Sequence, residues 1–283
     1  MSAVSIIIPA YNEEKGIGKV LDDLCKNMEK SGLEYEIIVV NDGSVDQTAA
    51  EIKKFPVTLM NNIHNSGYGF SIRRGIKSAK EEYVAIIDAD GSYPCRDIPR
   101  LVGIIEMGYD MVVGARQGKN YWSSPLKSFA RIIFKLLAEY TAGRKIGDIN
   151  SGLRIMRRDK VIPFLPLTCT TFSFTTSLTL IMMLNGLFVT YVPIEYYSRK
   201  GYSKVKLFRD TLRAGQVIVE AIILYNPLKL YLLISIFLFL LSLINFVLFI
   251  FWPYSHFWVS ACIGLFSSTI VFSLGLLSTS FKK

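Results

Sequence analysis

Residues 83–94 read YVAIIDADGSYP: an apolar run carrying the β-branched Val84, Ile86 and Ile87 stops at two carboxylates one residue apart, Asp88 and Asp90. The run is too short for a helix and reads as a strand buried on both faces. No Lys or Arg lies within five residues of the pair, so its two like charges have no local counter-ion. A bound divalent cation relieves that repulsion, because hard ions such as Mg2+ take carboxylate oxygens together with substrate phosphates. Asp and Gly after a strand are also ordinary turn chemistry. By itself the stretch leaves a metal site and a plain turn as alternatives.

Upstream, strand-like and helix-like stretches alternate. Val4–Ile8 is a β-branched run, followed by Pro9-Ala-Tyr11-Asn12-Glu13 and a helical stretch to about Lys30. Glu36–Val40 ends in Asn41-Asp42-Gly43-Ser44, Val57–Met60 is a third short strand, and Asn65-Ser-Gly67-Tyr-Gly69 opens a helix through Ala79. This rhythm implies an α/β fold whose mainly parallel sheet carries helices on both faces. In such sheets ligands sit beyond the carboxyl ends of the strands, and the polar clusters at 9–13, 41–44 and 88–92 all fall at that edge. The glycines at 67 and 69 suit either backbone contact with phosphate or a tight entry into the helix. The G-x-G-x-x-G fingerprint expected after the first strand of a dinucleotide-binding fold is absent.

The other end of the chain has a different composition. Mean hydropathy over the 283 residues is +0.35, and from Leu228 to Ser280 the only charge is Lys229. Leu228–Phe251 and Phe257–Ser280 are apolar runs long enough, at about 36 Å each, to cross a bilayer. Trp252, Tyr254 and Trp258 stand between or beside them as interfacial aromatics. With Lys229 at the start of the first span and Lys282 and Lys283 after the second, the positive-inside rule puts both termini and the main domain in the cytoplasm. The start, MSAVSIIIPAYNEE, lacks the basic segment of a secretory signal. The expected division is therefore 1–204 as a cytoplasmic domain, 205–227 as an amphipathic interfacial helix, and 228–283 as a transmembrane hairpin.

Charge is unevenly distributed. Residues 1–114 carry 12 Lys and Arg against 17 Asp and Glu, whereas residues 115–213 carry 17 against 5. The first part suits a metal and the second suits anions. A basic surface next to two spans points to membrane lipid and a lipid phosphate rather than nucleic acid. Two isolated spans are also compatible with a homo-oligomer. Four scattered cysteines without a C-x-x-C pair argue against a zinc or disulfide framework. With only His64 and His256, a Ser–His–Asp hydrolase is disfavoured.

SIIIPAYNEE, VVNDGSVDQTA, NSGYGFSIRRGIKSA and AIIDADGSYP, in that order, resemble the inverting family-2 glycosyltransferases of GT-A fold. GDINSGLRIMRR and RKGYSKVK resemble the branch containing dolichol-phosphate mannose synthase and bacterial polyprenyl-phosphate glucosyltransferases. The resemblance covers roughly residues 4–213. It implies a nucleotide diphosphate sugar as donor, a polyprenyl phosphate as acceptor, and Mg2+ or Mn2+ held by Asp88 and Asp90. It places Pro9, Tyr11, Glu13, Asp42, Asp88, Ala89 and Arg116 at the nucleotide sugar. Arg131, Ser151, Arg199, Ser203 and Lys204 fall at the lipid phosphate. Asp90 and Asp148 are the implied catalytic residues. Asp148 is the base of related enzymes, but it could equally orient the acceptor or pair with Arg154. The mannose synthase pattern has Gln where this chain has Ser92, a shorter side chain for a third metal ligand. The Gln-x-x-Arg-Trp motif of processive synthases is absent, so one sugar per cycle is expected. The rival readings are a transferase acting on a glycolipid hydroxyl, for which Asp148 would be an obligatory base, and a silent membrane subunit.

Overall fold

The computed structural model describes residues 2–118, 125–198 and 207–280, with side chains omitted at 125–131, 207–211 and 214. The chain divides into two compact units, Met1–Val217 and Ile218–Lys283. In the first, β1 (Ala3–Ala10), α1 (Ile17–Ser31), β2 (Glu34–Asn41), α2 (Thr48–Ile52), β3 (Thr58–Asn61), α3 (Tyr68–Ser78) and β4 (Tyr83–Ile86) follow the expected alternation. Then come α4 (Ile98–Ile105), β5 (Met111–Gln117), α5 (Pro125–Ala142), β6 (Arg154–Arg157), α6 (Arg158–Val161), α7 (Phe174–Leu184) and β7 (Val189–Glu195). The seven strands are ordered β3-β2-β1-β4-β6-β5-β7.

The central strands are apolar without interruption because both sheet faces are covered. In β1, Val4, Ile6 and Ile8 enter the core on one side with α1 and α4, while Ile7 enters the other with Ile72 and Ile76 of α3 and Phe174 and Leu178 of α7. In β4, Tyr83 and Ala85 go to the first core and Val84 and Ile86 to the second. Helix α7 is nearly all buried, so it packs on the sheet.

Strand β6 runs antiparallel to both neighbours, β4 and β5, while the remaining pairings are parallel. This reversal matters for function. It brings residues 148–152, which precede β6, to the edge where β1, β2, β4 and β5 end.

Helix α8 (Leu207–Tyr225) spans the division between the units. Helices α9 (Pro227–Phe251) and α10 (Ser255–Ser280) form an antiparallel hairpin, and each is long and apolar enough to cross a membrane. Their seam is lined by small residues. Ser235 and Ser268 exchange hydroxyl bonds, and Ser242 donates to the Ala261 carbonyl at 2.6 Å.

Candidate active site

At the carboxyl edge of the sheet the chain leaves β4 through Ile87 and turns at Asp88–Gly91, with Gly91 left-handed at φ 72°. Asp90 is buried and its Oδ1 accepts from the Ser92 backbone N–H at 3.0 Å and the Ser92 hydroxyl at 2.5 Å. Ser92 therefore orients the Asp90 carboxylate. Asp88 Oδ1 accepts from the Tyr68 hydroxyl at 2.8 Å. Desolvation first, and then the Asp88 carboxylate itself, hold the Tyr68 proton well above the ordinary phenol range. The backbone of Gly152 presses against the same carboxylate: a Cβ there would stand 2.5 Å from Asp88 Oδ2. Gly152 also donates its N–H to the Tyr93 hydroxyl at 2.7 Å.

Two hard carboxylates on one short turn could hold Mg2+ or Mn2+. Among the described residues no cluster of three or more His, Cys, Asp or Glu could do so alone. That donor set fits an ion that completes its shell with substrate phosphates and water.

Asp148 is 5% exposed and forms a bidentate pair with Arg116 of β5, Nε to Oδ2 at 2.7 Å and Nη2 to Oδ1 at 2.9 Å. The backbone N–H groups of Arg116 and Asn150 also donate to it. Burial pushes the Asp148 carboxyl upward, but the charge and hydrogen bonds of Arg116 outweigh it and hold the group below its usual value. Arg116 in turn lies 5.3 Å above the Tyr196 ring, which meets Tyr93 edge-on. The Tyr197 N–H donates to the Ser92 carbonyl, which ties the strand leaving β7 to the carboxylate turn.

Pro9, Tyr11, Glu13 and Asp42 come together at the ends of β1 and β2. Pro9 is buried within β1, and Tyr11 and Glu13 are partly exposed. Asp42 is buried and takes three donors, Asn62 Nδ2 and Ser66 N on Oδ1 and Gly67 N on Oδ2. With Gly67 N committed to Asp42 and Phe70 N to the Thr170 carbonyl, the glycines serve close packing. A Cβ on Gly69 would stand 2.3 Å from the Cys169 carbonyl oxygen.

Ser151 is fully buried and its hydroxyl donates to the Gly114 carbonyl at 2.6 Å. Of the alternatives for Asp148, pairing with Arg154 is not seen, since its arginine partner is Arg116. The Arg154 guanidinium is fully buried and donates to the Ile149, Ser151 and Thr175 carbonyls and the Thr179 hydroxyl. Ala89 is buried beside Asp88 and Asp90. Arg131 falls on α5 with its side chain outside the described residues, and Arg199, Ser203 and Lys204 lie wholly outside them. Sequence reasoning missed Tyr68 and Tyr196, which meet Asp88 and Arg116 from distant elements, and Tyr93, which links Gly152 to the Tyr196 ring. No spacing pattern pairs them with those groups.

Solved structures share this fold. Glucosyl-3-phosphoglycerate synthase from Mycobacterium tuberculosis, in complex with Mn2+, uridine diphosphate and glucosyl-3-phosphoglycerate, superposes with a TM-score of 0.64 at 18% identity over 78% of this chain and 80% of that one. The sheet with its carboxylate edge has the GT-A fold. The chain belongs to glycosyl transferase family 2, whose profile matches residues 5–163.

Among curated relatives, the undecaprenyl-phosphate 4-deoxy-4-formamido-L-arabinose transferase of Proteus mirabilis is 34% identical over 164 residues, 56% of this chain and 50% of that one. This chain thus spans about half the length of that relative. The dolichyl-phosphate hexose transferase of Haloferax volcanii is 28% identical over 218 residues, 77% of this chain and 92% of that one.

The Gly152–Asp88 contact yields a prediction. In Gly152→Ala the added methyl displaces the Asp88 carboxylate, so Mn2+-dependent activity falls at least about tenfold while the thermal midpoint in detergent moves little. Unchanged Mn2+ dependence and rate would show that this close approach is not needed.

Proposed function

We propose that this chain transfers one hexose, with inversion, from a UDP- or GDP-linked sugar to a polyprenyl phosphate at the cytoplasmic face of a membrane. The observation that carries this reading is the state of Asp148. A carboxylate held ionised by a bidentate arginine is a weak base. A hydroxyl acceptor needs its proton removed, whereas a phosphate monoester, with a second pKa near 6, is already largely dianionic at neutral pH. Relatives named for undecaprenyl-phosphate and dolichyl-phosphate transfer support the same acceptor class.

In this reading Asp88 and Asp90 would hold Mg2+ or Mn2+, which would supply positive charge to offset the negative charge of the leaving diphosphate. Tyr68 and Ser92 fix the directions of the two carboxylates. Pro9, Tyr11 and Glu13 border the nucleoside, and Asp42 contributes by fixing the loop at 62–67. Arg116, braced by Asp148 and Tyr196, presents a planar cation to phosphate oxygens. An acceptor phosphate oxygen attacks the anomeric carbon in line as the bond to the diphosphate breaks. Arg131, Arg199, Ser203 and Lys204 are assigned to the lipid phosphate.

Helix α5 leaves Ile132, Ile133, Leu136 and Leu137 exposed around Lys135. Such a face fits the headgroup layer, where the lipid phosphate can react without leaving the bilayer. A bimane label at position 136 is expected to be quenched by brominated lipids in vesicles. Quenching no greater than for a label at position 107, exposed beyond α4, would sink that placement.

The central test crosses UDP- and GDP-sugars with polyprenyl phosphate, with and without chelator. Metal-dependent monoglycosyl lipid is expected, abolished by Asp90→Asn. Product that survives both chelator and that substitution would overturn the metal role.

A pH profile adds a second test. Because the folded pKa of Asp148 is depressed, its pair with Arg116 persists above the ordinary carboxylate value of about 3.9 and is lost only as pH falls through the depressed one. Between pH 5 and 8 the rate should rise to a plateau with one inflection near pH 6, set by the acceptor. An inflection that moves in Asp148→Asn would instead assign the proton to the enzyme.

A further inference from the structure

We infer that Asn12 is the positioning residue of the donor site: its left-handed backbone and its side chain lock the turn carrying Tyr11 and Glu13 onto the loop after β2. The inference rests on the donor-binding role proposed above for Tyr11 and Glu13.

Among the described residues Asn12, at φ 49°, is the one non-glycine with a positive φ. L-residues with a Cβ disfavour this region, and Asn tolerates it best because its short amide bonds locally. Here the amide bonds to the facing loop. Asn12 Oδ1 accepts from the Val45 N–H at 3.0 Å, and the Asn12 N–H donates to the Ser44 hydroxyl at 3.0 Å. The next two residues continue the seam. Glu13 N donates to the Thr48 hydroxyl at 2.8 Å, Glu14 N to Asp46 Oδ2 at 3.3 Å, and Gln47 N returns to Glu14 Oε2 at 3.1 Å.

On its other side the turn is anchored to α1, since the Glu13 carbonyl accepts from Gly16 and Ile17. Five bonds thus cross between the turn after β1 and the stretch from Ser44 to Thr48, which follow adjacent parallel strands. The backbone reversal at Asn12 is what lets successive N–H groups face the second loop. Strain kept at such a position and compensated by its surroundings is a recognised mark of functional preorganisation. Asn12 has no need to touch the nucleotide; it acts through the aim of Tyr11 and Glu13.

The test uses the full-length protein in detergent and measures binding of UDP and of GDP with Mn2+. The nucleotide bound by the unaltered protein should bind Asn12→Ala about tenfold more weakly, since both backbone tolerance and the amide acceptor are lost. Asn12→Gly, which loses only the acceptor, should lie between the two, about threefold weaker. Asn12→Asp keeps both features and should recover most of the affinity. In assays the loss should appear in the donor KM, with kcat and the acceptor KM within about twofold.

Equal affinity of Asn12→Ala and the unaltered protein, or a loss confined to kcat or to the thermal midpoint, would overturn the inference. If the unaltered protein binds neither nucleotide, the donor-site reading itself fails and takes this one with it.

Discussion

The carboxyl edge of the sheet depends on one buried cation. Arg154 enters β6 with its guanidinium sealed from solvent, and the loop before it curls so that the Ile149 and Ser151 carbonyls accept its hydrogen bonds. On the other side Thr175 and Thr179 of α7 complete the shell. Burying a charge costs several kcal/mol unless hydrogen bonds replace its hydration. The loop conformation and the docking of α7 are therefore coupled to one another. That conformation leaves Asp148 facing Arg116 and sets Gly152 against Asp88. Moving the loop would disturb the ion pair and the carboxylate turn together.

Around this anchor the site handles its negative charges by donors of graded strength. Asp88 receives a neutral phenol, Asp90 a serine hydroxyl and amide, and Asp148 a full guanidinium. Neutral donors orient a carboxylate, and an arginine fork also neutralises it. At this edge Tyr68 and Ser92 set the directions of Asp88 and Asp90, and Asp148 holds Arg116 in place.

Much of this was legible in the sequence, for identifiable reasons. Strands β1, β2 and β4 are covered on both faces, so their β-branched runs and the polar clusters at their ends stand out. Strand β6 was not visible, because Arg-Ile-Met-Arg reads as a charged surface unless Arg154 is known to be sealed inside. The same hidden contact decides the partner of Asp148 and the burial of Ser151. Both depend on the antiparallel entry of β6, which no local periodicity encodes. The shortness of Ser92 was readable, but its bond to Asp90 required the turn geometry.

In the hairpin of α9 and α10 several hydroxyls bond within the pair. Ser235, Ser242 and Ser268 bond across the seam, and Thr269 and Ser273 return their hydroxyls to their own helix. Outward it presents Leu, Ile, Phe and Val on most sides. Lipid tails can contact such an apolar surface from most sides. Each helix of the hairpin is long and apolar enough to cross a bilayer. Under the proposed function, a catalyst held there would search for its lipid in two dimensions, and its encounter rate would follow the surface density of that lipid rather than the bulk concentration.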